Sequence, residues 1–521
     1  MKETTTGILK ESKLAETLTQ NIYVTLVFIL IFNFIVWYGQ YHWRRRKLYV
    51  AAAKANGPLA LPFVGNAFDL VGSNFFSRAM KIATVYKSPL RVWLGQKLIF
   101  VVTRPDEVEI IVNSPCSLEK DDVIQPIDVI LNNGLLTAAV PKWKRHRKII
   151  MPTFNQKVLN GFIEIFAEQS EILAKQLENE VGKGTFDVIH YVRRCTLDII
   201  CETAMGVTVN AQTTDVVYME WISRALEIAF LRMYVVWYKP DFIFNLTPLK
   251  KELDDLERKL RNFTNSVVKQ KRAAYQKKMK EARERPEALL EEDSGKRNSF
   301  LQQLIELSEK GANFTDEELG GEVDTFMNAG SETTGSMSSF AFIMLAMFPE
   351  IQDKVYEEVI KVVGPDRLIE YTDLGKLVYL ERVIKEALRL FPAGALITRS
   401  VAKDLQLKNY TIPAGSSIII LIIGLHTSSE FWPDPMKFDP DRFLSEEVSK
   451  RHPYSWIPFS SGPRNCAGLK FAMQAMKTLI ATIVRKYRLS TEYKTIEEIK
   501  LRCDFVIKPV EGYKLALELR E

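Results

Sequence analysis

The first long run of apolar residues covers positions 22–38, IYVTLVFILIFNFIVWY, and contains no charged side chain. Its length lies at the lower end of the ~17–25 residues that a helix needs to cross a bilayer. A cleaved signal peptide and a buried core helix are the alternatives, but no small-residue cleavage site follows, and the run is apolar all round. The pattern therefore predicts a transmembrane anchor.

Basic residues, RRRK, follow this run at positions 44–47, whereas the short segment before it balances its lysines with glutamates. The positive-inside rule then leaves the rest of the chain in the cytosol. We expect four parts: an N-terminal segment over 1–21, the anchor over 22–38, a basic and proline-rich linker over 39–66, and one large domain over 67–521.

After the basic residues, the hydrophobic pattern predicts a proline-rich strap, a β-hairpin and a long helix. Two prolines make 57–66 a stiff, non-helical strap. Residues 90–102 are β-branched and aromatic with Gly95-Gln96 between them, which predicts a β-hairpin. A long apolar stretch over about 316–348, ended by Pro349, predicts a buried helix, and the fold class is therefore mostly α with a small β portion.

Two more stretches differ sharply in polarity. Residues 225–244 are aliphatic and aromatic, and core packing and a membrane-dipping access channel are both compatible with them. Residues 269–296 interleave Lys, Arg and Glu, which predicts solvated helix and loop without chemistry.

Composition narrows the functional classes. The 521 residues are 47% hydrophobic and 26% charged, as in a globular protein with a large core, and the net charge is +6. No zinc-finger spacing or other nucleic-acid motif accompanies that charge, so a basic face for an acidic protein or an anionic membrane fits better than nucleic acid. The five cysteines are odd in number and scattered, which argues against a disulfide framework and for a reducing compartment.

The strongest chemical signal is the loop 459–468, FSSGPRNCAG, in which Cys466 stands between Gly462 and Gly468. The glycines allow a tight turn and close approach to a flat ligand. The helix predicted from about Leu469 would stabilise negative charge on sulfur. A buried, inert cysteine is the alternative, but the pattern F-x-x-G-x-R-x-C-x-G favours a thiolate held against a metal.

Two helical motifs add candidate polar groups. Trp143 and Arg147 share one face of a helix predicted after Pro141, where they could grip a carboxylate or simply form a solvated basic face. The motif AGSETT at 329–334 places polar residues inside the apolar helix, as functional sites often do. A threonine there can bond back to a carbonyl one turn earlier, and an acid beside a hydroxyl suits a proton relay; a helix merely kinked by glycine is the alternative.

The loop 459–468 resembles the haem-binding loop of the cytochrome P-450 superfamily. The resemblance implies that the Cys466 thiolate is the axial ligand of the iron. It also implies that Phe459 packs near the sulfur, that Arg464 pairs with a haem propionate, and that Gly468 lets the loop approach the haem.

The other motifs take matching roles in the same family, in the expected order along the chain. By this resemblance Trp143 and Arg147 hold a haem propionate, and Arg399 binds the other propionate. Thr333 is the relay alcohol of the oxygen-binding helix, and Glu332 is the acid next to it.

Two sets of charges complete the resemblance. Glu386, Arg389 and Arg442 match a structural ion-pair triad behind the cysteine loop. A further set of basic residues would form a docking face for an acidic reductase, with ordinary solubilising charge as the alternative: Lys142, Lys144, Arg145, Lys148, Lys470 and Lys477.

The segment 322–326, EVDTF, is similar to family 4 of the superfamily, which includes fatty-acid ω-hydroxylases and many insect enzymes. Many of its members esterify the haem through a glutamate at the position of Ala329. Alanine cannot form that ester, so the expected cofactor is non-covalent haem b.

The expected function is monooxygenation of a lipophilic fatty acid, terpenoid, steroid or xenobiotic with O2 and NADPH. The expected partners are NADPH-cytochrome reductase and, as a second electron donor, cytochrome b5. The anchor would hold the haem-thiolate catalytic domain on the cytosolic face of the endoplasmic reticulum, with residues 1–21 in the lumen. A reductant-independent isomerase or dehydratase and a non-catalytic haem-binding membrane protein are the alternatives, and the retention of Glu332 and Thr333 argues against the isomerase.

Overall fold

The computed structural model describes residues 2–70, 75–214, 217–284 and 299–520, and it divides into two compact units, Met1–Ala55 and Asn56–Glu521. Helices account for 63% of the chain and strands for 9%, which confirms the mostly α fold with a small β portion. The helices are α1 Lys2–Arg44, α2 Arg46–Lys54, α3 Phe75–Val85, α4 Pro105–Asn113, α5 Gln125–Leu131, α6 Val140–Ile150, α7 Gln156–Leu177, α8 Ile189–Ile200, α9 Tyr218–Tyr234, α10 Asp241–Phe244, α11 Pro248–Glu284, α12 Phe300–Leu307, α13 Asp316–Met347, α14 Pro349–Val362, α15 Tyr371–Leu374, α16 Val378–Leu390, α17 Ile422–His426, α18 Ser445–Ser449 and α19 Leu469–Lys486. The strands are β1 Leu90–Leu94, β2 Lys97–Val102, β3 Phe186–Asp187, β4 Leu396–Ser400, β5 Leu405–Gln406, β6 Thr411–Ile412, β7 Ser417–Leu421, β8 Tyr487–Ser490, β9 Leu501–Asp504, β10 Val506–Pro509 and β11 Lys514–Leu519.

The N-terminal unit consists of α1 and α2. Within α1, the range Gln20–Arg44 contains an 18-residue stretch with a mean hydropathy of 2.1 and is long enough to cross a membrane. Its apolar side chains, such as Phe28 and Leu30, are exposed, as in a helix that faces lipid. The helix extends beyond the predicted anchor at both ends, and α2 forms inside the segment 39–66 that the sequence analysis assigned to the linker.

The second unit is built around α13. A capping box starts this helix, because the Thr315 side chain accepts from the Glu318 amide while the Glu318 side chain accepts from the Thr315 amide. Most of its side chains are buried against α8, α16 and α19. The predicted helix over 316–348 is therefore confirmed to within one residue, and Pro349 at its end also starts α14.

The largest sheet has the strand order β1-β2-β7-β4. The predicted hairpin is confirmed, because β1 and β2 are antiparallel and Leu94 pairs with Lys97 around Gly95-Gln96. Strand β2 then runs parallel to β7, and β4 lies antiparallel at the edge with Arg399 opposite Ile418. The smaller sheets have the orders β3-β11-β8, β10-β9 and β5-β6.

The apolar segment 225–244 is partly buried and partly exposed. Phe230 and Met233 in α9 are buried, whereas Trp237 is 41% exposed and Phe242 is 71% exposed. The charged segment 269–296 is helical through Glu284 as part of α11, and its remainder lies outside the described residues.

Candidate active site

A cavity of about 280 Å³ lies between α13 and the loop before α19. The wall formed by α13 and the end of α8 is called the distal wall. The opposite wall, formed by the cysteine loop and α6, is called the proximal wall. Of the nine site residues that the sequence predicts, those lining this cavity are Trp143, Arg147, Thr333, Phe459, Arg464, Cys466 and Gly468.

The cysteine loop is a tight turn closed by its own backbone. The Cys466 amide donates to the Phe459 carbonyl over 2.9 Å. Gly462 has φ 71°, and a Cβ there would lie 2.3 Å from the Val112 carbonyl oxygen, so only glycine fits. Gly468 has an ordinary φ of −92° and caps α19, which begins at Leu469 as predicted.

The Cys466 side chain is open to the cavity although protein surrounds it. Removal from bulk water raises the pKa of its thiol, while the Gly468 amide and the Arg147 charge act in the opposite direction. Among the described residues, no group of three His, Cys, Asp or Glu side chains is placed to hold a metal ion. The Cys466 thiolate could ligate a metal whose other ligands come from a macrocycle.

Positive charge gathers at the proximal edge of the cavity. The Arg464 guanidinium lies 4.5 Å from the centre of the Trp143 ring. Arg147 donates to the Asn465 carbonyl over 2.8 Å and also to the Asn465 side chain. Lys120, which the sequence analysis did not single out, lines the same cavity.

These cations have few compensating charges. Burial and the neighbouring Arg464 lower the pKa of Arg399 to about 10, and burial together with Arg147 lowers that of Arg464 to about 10 although Glu119 lies 3.7 Å away. Burial, Arg399 and Arg464 lower the pKa of Lys120 well below its usual value. Nη2 of Arg399 and Nε and Nη1 of Arg464 are buried without a hydrogen-bond partner in the described part of the chain.

Unpartnered guanidinium groups are costly in a protein interior. An anionic group with two carboxylates, such as a haem, would satisfy these donors and relieve the repulsion among the cations. The residues present therefore fit the cofactor that the resemblance implies.

Thr333 lies on the distal wall with its hydroxyl bonded to the Ala329 carbonyl over 2.6 Å, the back-bond that the sequence predicts. Ala329 also lines the cavity, and its methyl group carries no carboxyl. A Cβ at Gly330 would lie 2.6 Å from Cδ1 of Ile200, so the glycine lets α8 end close to the cavity.

Glu332 points elsewhere, because successive residues of a helix project about 100° apart. It is 1% exposed and is not among the lining residues of this cavity. Its carboxylate pairs with Arg193 of α8 and accepts from Ser223 of α9 over 3.5 Å. Arg193 and Ser223 in turn line a separate polar cavity of about 660 Å³. The relay role of Glu332 stays a prediction, and both Arg193 and Ser223 lie between its carboxylate and the polar cavity.

Behind the loop, the predicted triad forms. Arg389 donates to both carboxylate oxygens of Glu386 over 2.8 Å, and both side chains are fully buried. Nε of Arg442 lies 3.5 Å from Glu386 Oε1.

One part of the predicted docking face is wrong. Lys477 is buried, and its ammonium donates to the Leu374 carbonyl over 2.7 Å and to Glu381 over 2.6 Å. Its partners were not visible in the sequence because Leu374 and Glu381 lie on other helices. Lys144, Lys148 and Lys470 are exposed, whereas Arg145 is exposed but pairs with Glu318.

Comparisons with known proteins find a family and relatives that match most of the chain. A family model described as Cytochrome P450 matches residues 56–516. Cytochrome P450 4c21 of Blattella germanica is 36% identical over 96% of this chain and 99% of its own length, and cytochrome P450 4c3 of Drosophila melanogaster is 34% identical over 99% of both chains. Cytochrome P450 4V2 of Homo sapiens is 34% identical over 88% of this chain and 89% of its own.

Replacing Lys120 should stabilise the cofactor-free protein but weaken haem retention in the loaded protein. Replacing Lys120 with Met removes a like charge from the cofactor-free protein, which should become more stable by about 1 kcal/mol. The same change removes a cation from the propionates, so haem should leave the loaded protein roughly tenfold faster. Urea unfolding of the cofactor-free protein and haem transfer to an acceptor globin measure the two effects.

The control is Lys408→Met at an exposed lysine, for which both quantities should stay unchanged. Equal destabilisation of the loaded and cofactor-free forms by Lys120→Met would contradict a role toward haem.

Proposed function

Because the chain belongs to the cytochrome P450 family and is a haem-thiolate monooxygenase with non-covalent haem b, we propose that it hydroxylates a lipophilic substrate with electrons from NADPH. The candidate substrates are fatty acids, terpenoids, steroids and lipophilic xenobiotics. The observation that carries the proposal is the convergence of the Cys466 thiol, the buried cations and the Thr333 hydroxyl on one cavity.

The residues around the cavity would hold the cofactor at its iron and at its propionates. Cys466 would ligate the iron, Arg464 and Arg399 would pair with the propionates, and Trp143 and Arg147 would support them. We add Lys120 to this set because it faces the same cations without a carboxylate partner among the described residues. When bound, haem would supply the activation of O2: with two electrons and two protons, one oxygen atom would enter the substrate and the other would leave as water.

Residues of α13 would supply the protons that the reaction consumes. The Thr333 hydroxyl donates to the Ala329 carbonyl, so its oxygen stays available to accept a hydrogen bond from water in the cavity. Glu332 lies on another face of the helix, and we propose that the polar cavity lined by its partner Arg193 would give protons a route from solvent. Glu332 would collect protons once Arg193 releases it, and the Thr333 hydroxyl would hold the water that carries them into the cavity.

A second, apolar chamber of about 110 Å³ supports a lipophilic substrate. It lies between α3, the large sheet and α9, and it shares Leu396 with the cofactor cavity. Phe75, Phe230 and Met233 are among its walls. Apolar walls constrain the size and polarity of a ligand only loosely, so the lining residues do not distinguish among the candidate lipid classes.

The domain also carries an exposed apolar surface suited to a membrane. Phe63 is 63% exposed and Phe242 is 71% exposed. A Cβ on Gly95 would lie 2.9 Å from Val236 and 3.8 Å from the Phe63 carbonyl, so the segments around Phe63 and Val236 meet at the hairpin turn. We propose that this surface dips into the cytosolic leaflet of the endoplasmic reticulum, where lipophilic substrates are dissolved.

Electrons would arrive at the opposite side of the cofactor cavity from α13. Asn465 of the cysteine loop binds Arg147 of α6, which brings the exposed lysines of α6 next to the start of α19. We propose that Lys144, Lys148 and Lys470 dock NADPH-cytochrome reductase, with cytochrome b5 as a second donor. Lys477 has no part in this face.

Thr333→Ala tests the oxygenase function. The wild-type enzyme, reconstituted with reductase, NADPH and a lipid substrate, should place one labelled atom from ¹⁸O2 in each product molecule. Without the hydroxyl, protons reach the cavity less directly, so the variant should form roughly tenfold less product per NADPH and release hydrogen peroxide instead. Product, NADPH and peroxide are measured in the same reaction.

Thr333→Ser keeps the hydroxyl and serves as the matched control, with coupling near that of wild type. An alanine variant that couples as well as the wild type would remove Thr333 from the relay. Product formed without reductant or labelled oxygen would contradict the monooxygenase proposal itself.

The docking face gives a separate prediction. Reversing Lys144 and Lys148 to Glu should slow reductase-driven haem reduction roughly tenfold at low salt, because the exposed charges steer an acidic partner. Raising the ionic strength should slow the wild type toward the variant, since the Debye length is near ~10 Å at 0.1 M salt. Stopped-flow reduction and the substrate-induced spin shift give the rate and the substrate affinity.

Reversal of the exposed Lys408 is the control for net charge, and it should leave the rate unchanged. The proposed face would be wrong if the double variant were reduced at the wild-type rate, or if its substrate affinity fell in parallel.

A further inference from the structure

His426 ends α17 and lies between the buried triad and the cysteine loop. Nη1 of Arg389 donates to the His426 carbonyl over 3.0 Å and to the Pro435 carbonyl over 2.7 Å. The backbone of His426 is therefore fixed by the same guanidinium that pairs with Glu386.

The His426 ring contacts the backbone just before the cysteine loop. Its Nε2 lies 2.8 Å from the amide nitrogen of Ile457, and this amide can only donate. Nε2 must therefore be unprotonated, and the ring proton sits on Nδ1. Nδ1 is buried near the carbonyls of Leu388 and Arg389, although no hydrogen bond of good geometry forms there.

The surroundings keep this ring neutral. His426 is fully buried, and burial and the nearby Arg389 charge lower its pKa to about 3, with the two carbonyls acting in the opposite direction. A protonated ring would have no lone pair for the Ile457 amide. The acceptor is therefore permanent at any physiological pH.

From Ile457 the connection continues through the loop backbone. The Ile457 carbonyl accepts from the Ser460 amide over 2.9 Å, and the Phe459 carbonyl accepts from the Cys466 amide over 2.9 Å. A continuous series of hydrogen bonds and short backbone steps thus joins Arg389 to the residue that carries the thiol.

We propose that His426 is a positioning residue that transfers the rigidity of the Glu386–Arg389 pair to the cysteine loop and so keeps Cys466 in its thiolate-ligating position. This inference rests on the proposed role of Cys466 as the iron ligand. His426 touches neither cofactor nor substrate in this assignment; it acts through the Ile457 amide alone.

Two variants of the full-length, haem-loaded protein separate positioning from packing. His426→Leu fills the site but offers no acceptor, whereas His426→Gln places an amide oxygen close to the position of Nε2. The leucine variant should exchange the Ile457 amide hydrogen at least roughly tenfold faster than wild type, with the Asp439 amide, which donates to Glu386 over 3.0 Å, unchanged. More of its reduced carbon monoxide complex should show the unshifted Soret band of a lost thiolate.

The glutamine variant should recover both the slow exchange and the red-shifted band. Wild-type exchange and an unchanged spectrum in the leucine variant would overturn the proposal. So would equal losses in the two variants, since packing alone would then explain them.

A measurement on the wild-type protein decides the case if neither variant folds. The chain has five histidines, so ¹⁵N-histidine labelling gives few signals. His426 should remain a neutral Nδ1–H tautomer from about pH 5 to pH 9. An Nε2–H tautomer, or titration in this range, would refute the role of His426 even if Cys466 binds the iron. If His426 shows the expected tautomer but Cys466 is not the iron ligand, the proposed function is wrong instead.

Discussion

The buried ion pair between Glu386 and Arg389 fixes the region on which the cavity is built. Both side chains are fully buried, so each ion depends on the other and on the carbonyls and amides around them. Breaking such a pair by removing one partner costs about 3–5 kcal/mol, because a charge remains buried without compensation. Arg389 uses its remaining donors on the carbonyls of His426, Pro435 and Lys437, and Glu386 accepts from the Asp439 amide. One charge pair thus organises several irregular segments that no regular hydrogen-bond ladder holds.

In the long helix α13, buried charges are likewise compensated by specific partners. It is buried along most of its length, yet each of its acidic side chains in the interior has a specific partner. Glu322 lies 2.6 Å from His146 of α6, Asp324 accepts from Thr264 of α11, and Glu332 pairs with Arg193 of α8. These contacts set the rotation of the helix against its neighbours, and that rotation directs Thr333 toward the cofactor cavity. Stability and chemistry depend on the same polar contacts.

Much of this arrangement could be predicted from the sequence because local signals agree with the final fold. The hairpin around Gly95, the bounds of α13 and the start of α19 at Leu469 all follow from periodicity, proline and glycine. Lys120 could not be identified, because a lysine in an irregular, charged segment is indistinguishable from a solvated one until Arg399 and Arg464 are brought beside it. The direction of Glu332 and the burial of Lys477 depend in the same way on partners distant in sequence.

We propose that Cys466, held by this network, is the thiolate ligand of a haem. The most direct test is the absorption spectrum of the reduced carbon monoxide complex of the purified protein, recorded beside that of Cys466→Ser. We expect a strongly red-shifted Soret band in the wild type, because a thiolate donates electron density to the iron, and the loss of that shift in the variant. A red-shifted band that survives the substitution, or an unshifted band in a fully haem-loaded wild-type protein, would contradict it.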